Sequence, residues 1–292
     1  MEDAKSRGAE IFLNAGDFLG YGAFPDDGDR RVNYAILNIR SLSNNLIKVD
    51  YDIESVENSI RDMGLPENFA QMFLCGVSLD AVIEDEDRIK EREKELGYEK
   101  RLEEIREIAR KYDPDPEHSD TVRSLSLELF DKMEGLHVLG YEERYWLECA
   151  AILHDIGWSQ GPKGHHKSSL GLILNDQEFP FTSDERYIIG SIARYHRKAH
   201  PKNSHFHFAA ISQDNKQKVR FLASILRIAD GMDASHSSVV TNIDLKIDHD
   251  SVMLDCFVSN DTSLERESIL KKKDLFESII GKKLIVKWLQ KN

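Results

Sequence analysis

A mainly helical protein with a small β-β-α-β unit at its C-terminal end is what this sequence predicts, and three observations carry the expectation. Over most of residues 32–236 the apolar side chains recur at intervals of three and four, the period of a helix with one buried face. After His236 the period changes to two: Ile243, Leu245 and Ile247 alternate with polar residues, as do Val252, Leu254, Cys256 and Val258 beyond a turn at His249-Asp250, which is a hairpin pattern. A helical stretch from Leu264 to Ile279, halted by Gly281, then leads to a short strand at Leu284-Ile285-Val286. With 292 residues, 40% of them hydrophobic and 31% charged, the chain is long and apolar enough to bury a core.

Taken in order, the glycine-rich stretches Asn14-Ala15-Gly16-Asp17 and Gly20-Tyr21-Gly22 read as turns and loops. The second lacks the third glycine and the lysine-serine pair of a phosphate loop. Ile36, Ile39, Leu42, Leu46 and Val49 fit an amphipathic helix over 32–49, and further helices are expected over 53–63 and through Phe69, Phe73 and Val77. Between Asp80 and Glu104 stand eleven acidic and six basic side chains, many three or four apart, as in a solvated helical connector. Pro114 and Pro116 stop the preceding helix, and a new one starts near Pro116. The expected organisation is a mostly helical N-terminal module over 1–100, a helical domain over 101–238 and a small α+β subdomain over 239–292.

Lys plus Arg number 39 against 52 Asp plus Glu, a net charge of −13, which makes duplex nucleic acid a poor partner. The acidic start Met1-Glu2-Asp3 does not suit a signal peptide, and no apolar run approaches the ~20 residues that cross a bilayer. A cytoplasmic location without membrane contact is therefore expected, with a homodimer left open. Cys75, Cys149 and Cys256 are odd in number and far apart, so they read as reduced thiols rather than disulfides or zinc ligands.

The informative feature is the placement of histidines and aspartates on the apolar stripes. His118 shares a helical face with Val122, Leu125 and Leu129. A helix that buries Trp146, Ala150 and Leu153 ends in His154-Asp155, just before Gly157. His166 leads the stripe of Leu170 and Ile173, His196 follows Ile189, Ile192 and Ala193, and Asp230 closes the helix of Phe221, Ile225 and Ala229. His165 falls on a more mixed side with Ser169 and Leu172, although spacing does not exclude it as a ligand. One inward histidine is more often a hydrogen-bonded core residue than a ligand. Several helices that converge with such groups are different, because burying them costs several kcal/mol each unless they are paired or hold a cation. Imidazole and carboxylate together suit one or two divalent ions of manganese, magnesium, iron, nickel or zinc.

Lys163, Lys167, Arg194, Arg197 and Lys198 lie in the same segments. They read equally as helix-end charges or as a phosphate-binding rim. Arg227 reads as a structural ion-pair partner of Asp230 or Asp233, and Lys271-Lys272-Lys273 as a solvated helix face. The histidines at 137, 200, 205, 207, 236 and 249 read as loop, surface or structural residues.

The spacing of His118, His154-Asp155 and Asp230 resembles the H…HD…D signature of the HD-domain phosphohydrolase superfamily. Leu153-His154-Asp155-Ile156-Gly157, Gly164-His165-His166-Lys167, Ala193-Arg194-Tyr195-His196-Arg197-Lys198 and Ile225-Leu226-Arg227-Ile228-Ala229-Asp230-Gly231-Met232-Asp233 further resemble the C-terminal HD region of the exopolyphosphatase and guanosine pentaphosphate phosphohydrolase family. The resemblance spans about residues 101–289 and implies a helical HD bundle. It also implies that His118, His154, Asp155 and Asp230 hold one ion and Asp155, His166 and His196 a second, with His154 and Asp155 as the catalytic pair. The reaction implied is metal-dependent hydrolysis of a phosphate ester or anhydride of a nucleotide or other small polyanionic compound. Relatives carry actin-like domains before this region and perform their own hydrolysis there. The hundred residues that precede it here are too short for those domains, so that activity is not carried over. The alternative is a non-catalytic module that binds nucleotide, polyphosphate or a protein partner.

Overall fold

The computed structural model describes residues 12–14, 32–38, 43–50, 52–75 and 79–290. The chain divides into two compact units, residues 1–94 and 95–292. In the first, β1 (Phe12–Asn14), β2 (Val32–Asn38) and β3 (Ser43–Val49) form an antiparallel sheet in that order. This corrects the helix expected over 32–49. The sequence there also alternates Val32, Tyr34 and Ile36 with other residues, and the register sets Val32 opposite Val49 and Tyr34 opposite Ile47. In a short apolar run the two periods overlap, and β-branched and aromatic content favours the strand. Residues 39–42, and the glycine-rich Gly20-Tyr21-Gly22, lie outside the described residues. Helices α1 (Ile53–Asp62) and α2 (Glu67–Cys75) follow. The Asp52 carboxylate caps α1 by accepting from the Ser55 N–H, and Gly64 takes the left-handed turn that separates the two.

Helix α3 (Leu79–Ala109) begins in the first unit and ends in the second. Its charged stretch is solvated as expected, whereas Tyr98, Leu102, Ile105 and Ala109, spaced four, three and four apart, are buried in the core of the second unit. That core is built by α4 (Pro116–Lys132), α5 (Tyr141–Leu153), α6 (His165–Asn175), α7 (Ser183–Arg194), the single turn α8 (Phe206–Ala209) and α9 (Gln213–Met232). Helix α9 is the spine: from Phe221 to Met232 every residue is buried.

The C-terminal hairpin pairs β4 (Val240–Ile247) with β5 (Ser251–Val258), and β6 (Lys283–Gln290) joins β5 in parallel. A parallel pair needs a crossover. It is supplied by α10 (Ser263–Lys272) and α11 (Asp274–Ile280), two helices broken at Lys273 where the sequence suggested one. Val252, Leu254, Cys256 and Val258 alternate inward along β5. Cys149 and Cys256 are free and buried. The protein is thus mainly helical, and among the described residues no helix is long and apolar enough to cross a membrane.

Candidate metal centre

Four local devices bring the polar groups together. Asp115 caps α4 by accepting from the His118 N–H, with Pro116 in the first turn, so His118 enters the core from the helix start. His154 and Asp155 follow α5 directly, and a short 3-10 turn over Ile156–Gln160 reverses the chain. Gly157 in that turn lies against the backbone of α6. A Cβ there would fall 2.1 Å from the His165 carbonyl oxygen and 2.4 Å from the Ser169 nitrogen. The Ser169 hydroxyl locks the contact by donating to the His154 carbonyl (2.7 Å) and accepting from the Gly157 N–H (2.9 Å). His196 stands just beyond α7, and Asp230 lies in the last turn of α9.

Each imidazole in this cluster has its Nδ1 occupied. His154 donates to the Ala151 carbonyl (2.8 Å), His196 to the Ala193 carbonyl (2.7 Å) and His165 to the Pro162 carbonyl (3.1 Å). His118 donates to Asp233 Oδ2 at 2.8 Å. These oxygens take the Nδ1 protons and turn each Nε2 toward the cluster, the arrangement in which an outer oxygen orients a metal-binding histidine. Among the described residues two groups of potential ligand atoms result: His118, His154 and Asp155, and Asp155, His165 and His196. Asp155 belongs to both. Its Oδ1 is buried without a hydrogen bond, 3.3 Å from His165 Nε2 and 3.6 Å from His196 Nε2. Its Oδ2 accepts from the Trp158 indole at 3.1 Å. A buried carboxylate oxygen with no donor, ringed by imidazole nitrogens, is the environment a divalent cation completes. The residues fit the group.

Positive charge from the chain itself also faces these atoms. His118 Nε2 lies 3.3 Å from His154 Nε2 and 3.6 Å from Asp230 Oδ1. Burial works against a charge on His118, but the carboxylates of Asp230 and Asp233 push it up to about 10. Its proton can then bridge to His154. Burial holds His196 well below the usual histidine range and also lowers His165, so both stay neutral. Despite its burial, Asp230 is held well below the usual carboxylate range by the ammonium of Lys272 and by His118. The Arg197 guanidinium donates to His165 Nε2 at 3.0 Å.

The structure brings His118, His154, Asp155 and His196 together as the sequence suggested, with Asp230 beside them. It does not bring in His166. That residue is buried, its Nδ1 has no partner, and burial together with Arg194 and His165 lowers it to about 3. His165, on the more mixed helical face, stands in its place. The cluster lies beyond the start of α6, where Cβ vectors tilt toward the N-terminus, so the first residue reaches it and the stripe carried back from Leu170 misleads.

Beside the centre opens a cavity of about 500 Å³. Of the five basic residues expected at its rim, Arg197 and Lys198 line it, but Lys163, Lys167 and Arg194 do not. Lys163 and Lys167 are exposed, and Arg194 is buried with its guanidinium over the Tyr195 ring. Leu264, Glu267, Ser268, Lys271 and Lys272 of α10 and Asp274 at the start of α11 also line it, with Lys271 ion-paired to Glu267. Lys272 is therefore not a solvated face residue; it is largely buried and ion-paired with Asp230. Arg227 pairs with neither Asp230 nor Asp233. It donates to Asp274 Oδ1 and to the carbonyls of Tyr195, Lys198 and Lys272. His236, read as structural, stacks on His118 with ring centroids 3.7 Å apart and donates to Asp115. With Trp158 it also lines a second, smaller cavity on the side of Asp113 and Pro114. Asp233 and His236 had one signal in the sequence, their position just past Asp230, where the chain leaves the apolar helix.

Residues 101–278 match the family model described as Ppx/GppA phosphatase, domain III. Comparison with curated proteins finds no match. The family match takes in well over half of the sequence and every residue of both ligand groups, and the chain belongs to the Ppx/GppA phosphatase family, of which it carries domain III.

Proposed function

We propose that this protein is a metal-dependent phosphohydrolase of the HD type, acting on a phosphate ester or anhydride of a nucleotide or another small polyanionic compound. The observation that carries the reading is a pair of ligand groups sharing Asp155, of which Asp155, His165 and His196 line a cavity that Arg197, Lys198, Lys271 and Lys272 also line. His118, His154 and Asp155 would hold one divalent ion, with Asp230 adjacent, and Asp155, His165 and His196 a second. Such an ion, when bound, activates water and neutralises charge on phosphoryl oxygens. The protein's own part is positioning. Four oriented Nε2 atoms and an undonated carboxylate oxygen form a preorganised anchor, and burial keeps bulk water from screening it. Arg197 and Lys198 line the same cavity and supply cationic donors suited to phosphate oxygens, in a chain whose net charge of −13 otherwise repels anions.

Elemental analysis of protein purified without chelator, followed by a panel of phosphate esters and anhydrides, tests this. One or two divalent ions per chain with turnover supports it. Less than about a tenth of an ion after soaking in manganese sinks it, because ligands this well oriented should load. Stoichiometric metal without turnover would favour a binding module.

A further inference from the structure

Lys272 enters the metal centre from outside the bundle. It is the last residue of α10, in the crossover between β5 and β6, and its ammonium is placed on Asp230 Oδ2 with the side chain only 17% exposed. The other oxygen of Asp230 faces His118 Nε2 at 3.6 Å. Asp230 is thus shared between the candidate centre and a lysine, and it joins neither group of convergent ligand atoms. The same lysine lines the cavity together with Lys271, Arg197 and Lys198. Its backbone is pinned, since the Lys272 carbonyl accepts from Arg227 Nε, while four methylenes give the ammonium reach from Asp230 toward the cavity that it also lines.

We propose that Lys272 is a movable counter-ion which competes with the divalent cation for Asp230 and, when displaced, turns to the anion in the cavity. The metal and a polyanion then strengthen each other's binding by way of one side chain. Two positive charges cannot share a buried carboxylate without repulsion, so cation entry at the His118 group drives the ammonium off Asp230. The cavity that it already lines offers the displaced ammonium an anion, and an anion there draws the ammonium away and frees the carboxylate. Linkage makes the coupling reciprocal. The inference rests on the metal-centre reading and adds the sign of one residue's effect. If Lys272 only buttressed Asp230, its removal would weaken metal binding; as a competitor, its removal tightens it.

Manganese binding by calorimetry, with circular dichroism to verify folding, distinguishes these roles in the full chain. Lys272→Met should bind Mn²⁺ roughly tenfold more tightly than the unaltered protein, as expected when a like charge leaves a low-dielectric site. Sulfate, a weak chelator used here as the anion probe, should tighten Mn²⁺ binding to the unaltered chain severalfold and do so by a clearly smaller factor in Lys272→Met, where only the direct attraction between ion and anion remains. The sulfate series on the unaltered chain needs no variant, so a misfolded mutant does not blunt the test, and Lys272→Gln offers a neutral side chain that still donates to Asp230. Equal or weaker Mn²⁺ binding in a folded variant, or binding indifferent to sulfate in the unaltered chain, overturns the proposal alone. Failure of any form to take up Mn²⁺ overturns the metal-centre reading and this proposal with it.

Discussion

Asp233 touches no other candidate ligand in the cluster, yet it decides which nitrogen His118 presents, because its Oδ2 takes the Nδ1 proton while its Oδ1 accepts from the Ser238 N–H. Outer partners of this kind typically govern about 10–100-fold in metal affinity, so Asp233→Ala should weaken Mn²⁺ binding by that factor with the fold retained, measured by calorimetry. A second residue-scale expectation concerns His207, buried with Nδ1 3.0 Å from the Ser191 hydroxyl. Burial, helped by the nearby Arg194 charge, lowers it to about 4, below the ~6.5 of an unfolded histidine. Between those values the unfolded chain binds the extra proton, so the stabilisation is complete above about pH 6.5 and is lost as pH falls toward 4. Melting curves at pH 7 and pH 5 should show a smaller drop for His207→Gln than for the unaltered protein. The inward histidines were legible because helical spacing sorts faces. The choice between His165 and His166 was not, since both are buried at a helix start, where direction along the axis outweighs face.

At the scale of elements, the centre depends on how closely the turn after Asp155 approaches α6. The atoms that a Cβ at Gly157 would meet are backbone, which cannot step aside as a flexible side chain can. Gly157→Ala should therefore cost about 1–3 kcal/mol or more in denaturant unfolding, and should weaken metal binding by moving His165 from Asp155. Equal stability with unchanged metal content would mean that the turn relaxes without cost. The same motif in the sequence read simply as a helix stop. Elements with a single consistent period, such as α9 and β5, were plain from residue patterns, whereas β2 and β3 were not, because their apolar residues satisfy both periods over a short run. Lys272 escaped notice for a related reason: three consecutive lysines look solvated, and only the break at Lys273 and the parallel pairing of β6 aim the middle one inward.

For the molecule as a whole, the Asp155 Oδ1 buried without a donor opposes folding unless a cation meets it. Loading the site should stabilise the native state by mass action, about 2.7 kcal/mol at a hundred times the dissociation constant. For a folded unit near 200 residues that is a shift of roughly 5–10 °C, which a melt with and without chelator, then with Mn²⁺ restored, would show. No shift would mean that the centre gains nothing from the ion.

Arg227 bears on how the molecule is put together in time. Its guanidinium joins carbonyls at Tyr195, Lys198 and Lys272 with the carboxylate of Asp274, so it fastens the end of α7 and the crossover helices to α9. The helices of the bundle meet neighbours near in sequence, whereas this knot joins α9 to segments on either side of it and should close after them. The cavity wall should then be the last region to gain protection from amide exchange during refolding and the first to lose it under mild denaturant. Arg227→Lys, which cannot bridge four acceptors, should speed exchange at residues 195–200 and 264–274 while the amides of α5 keep their protection. Uniform loss across α5 as well would mean that the wall and the bundle open as one unit.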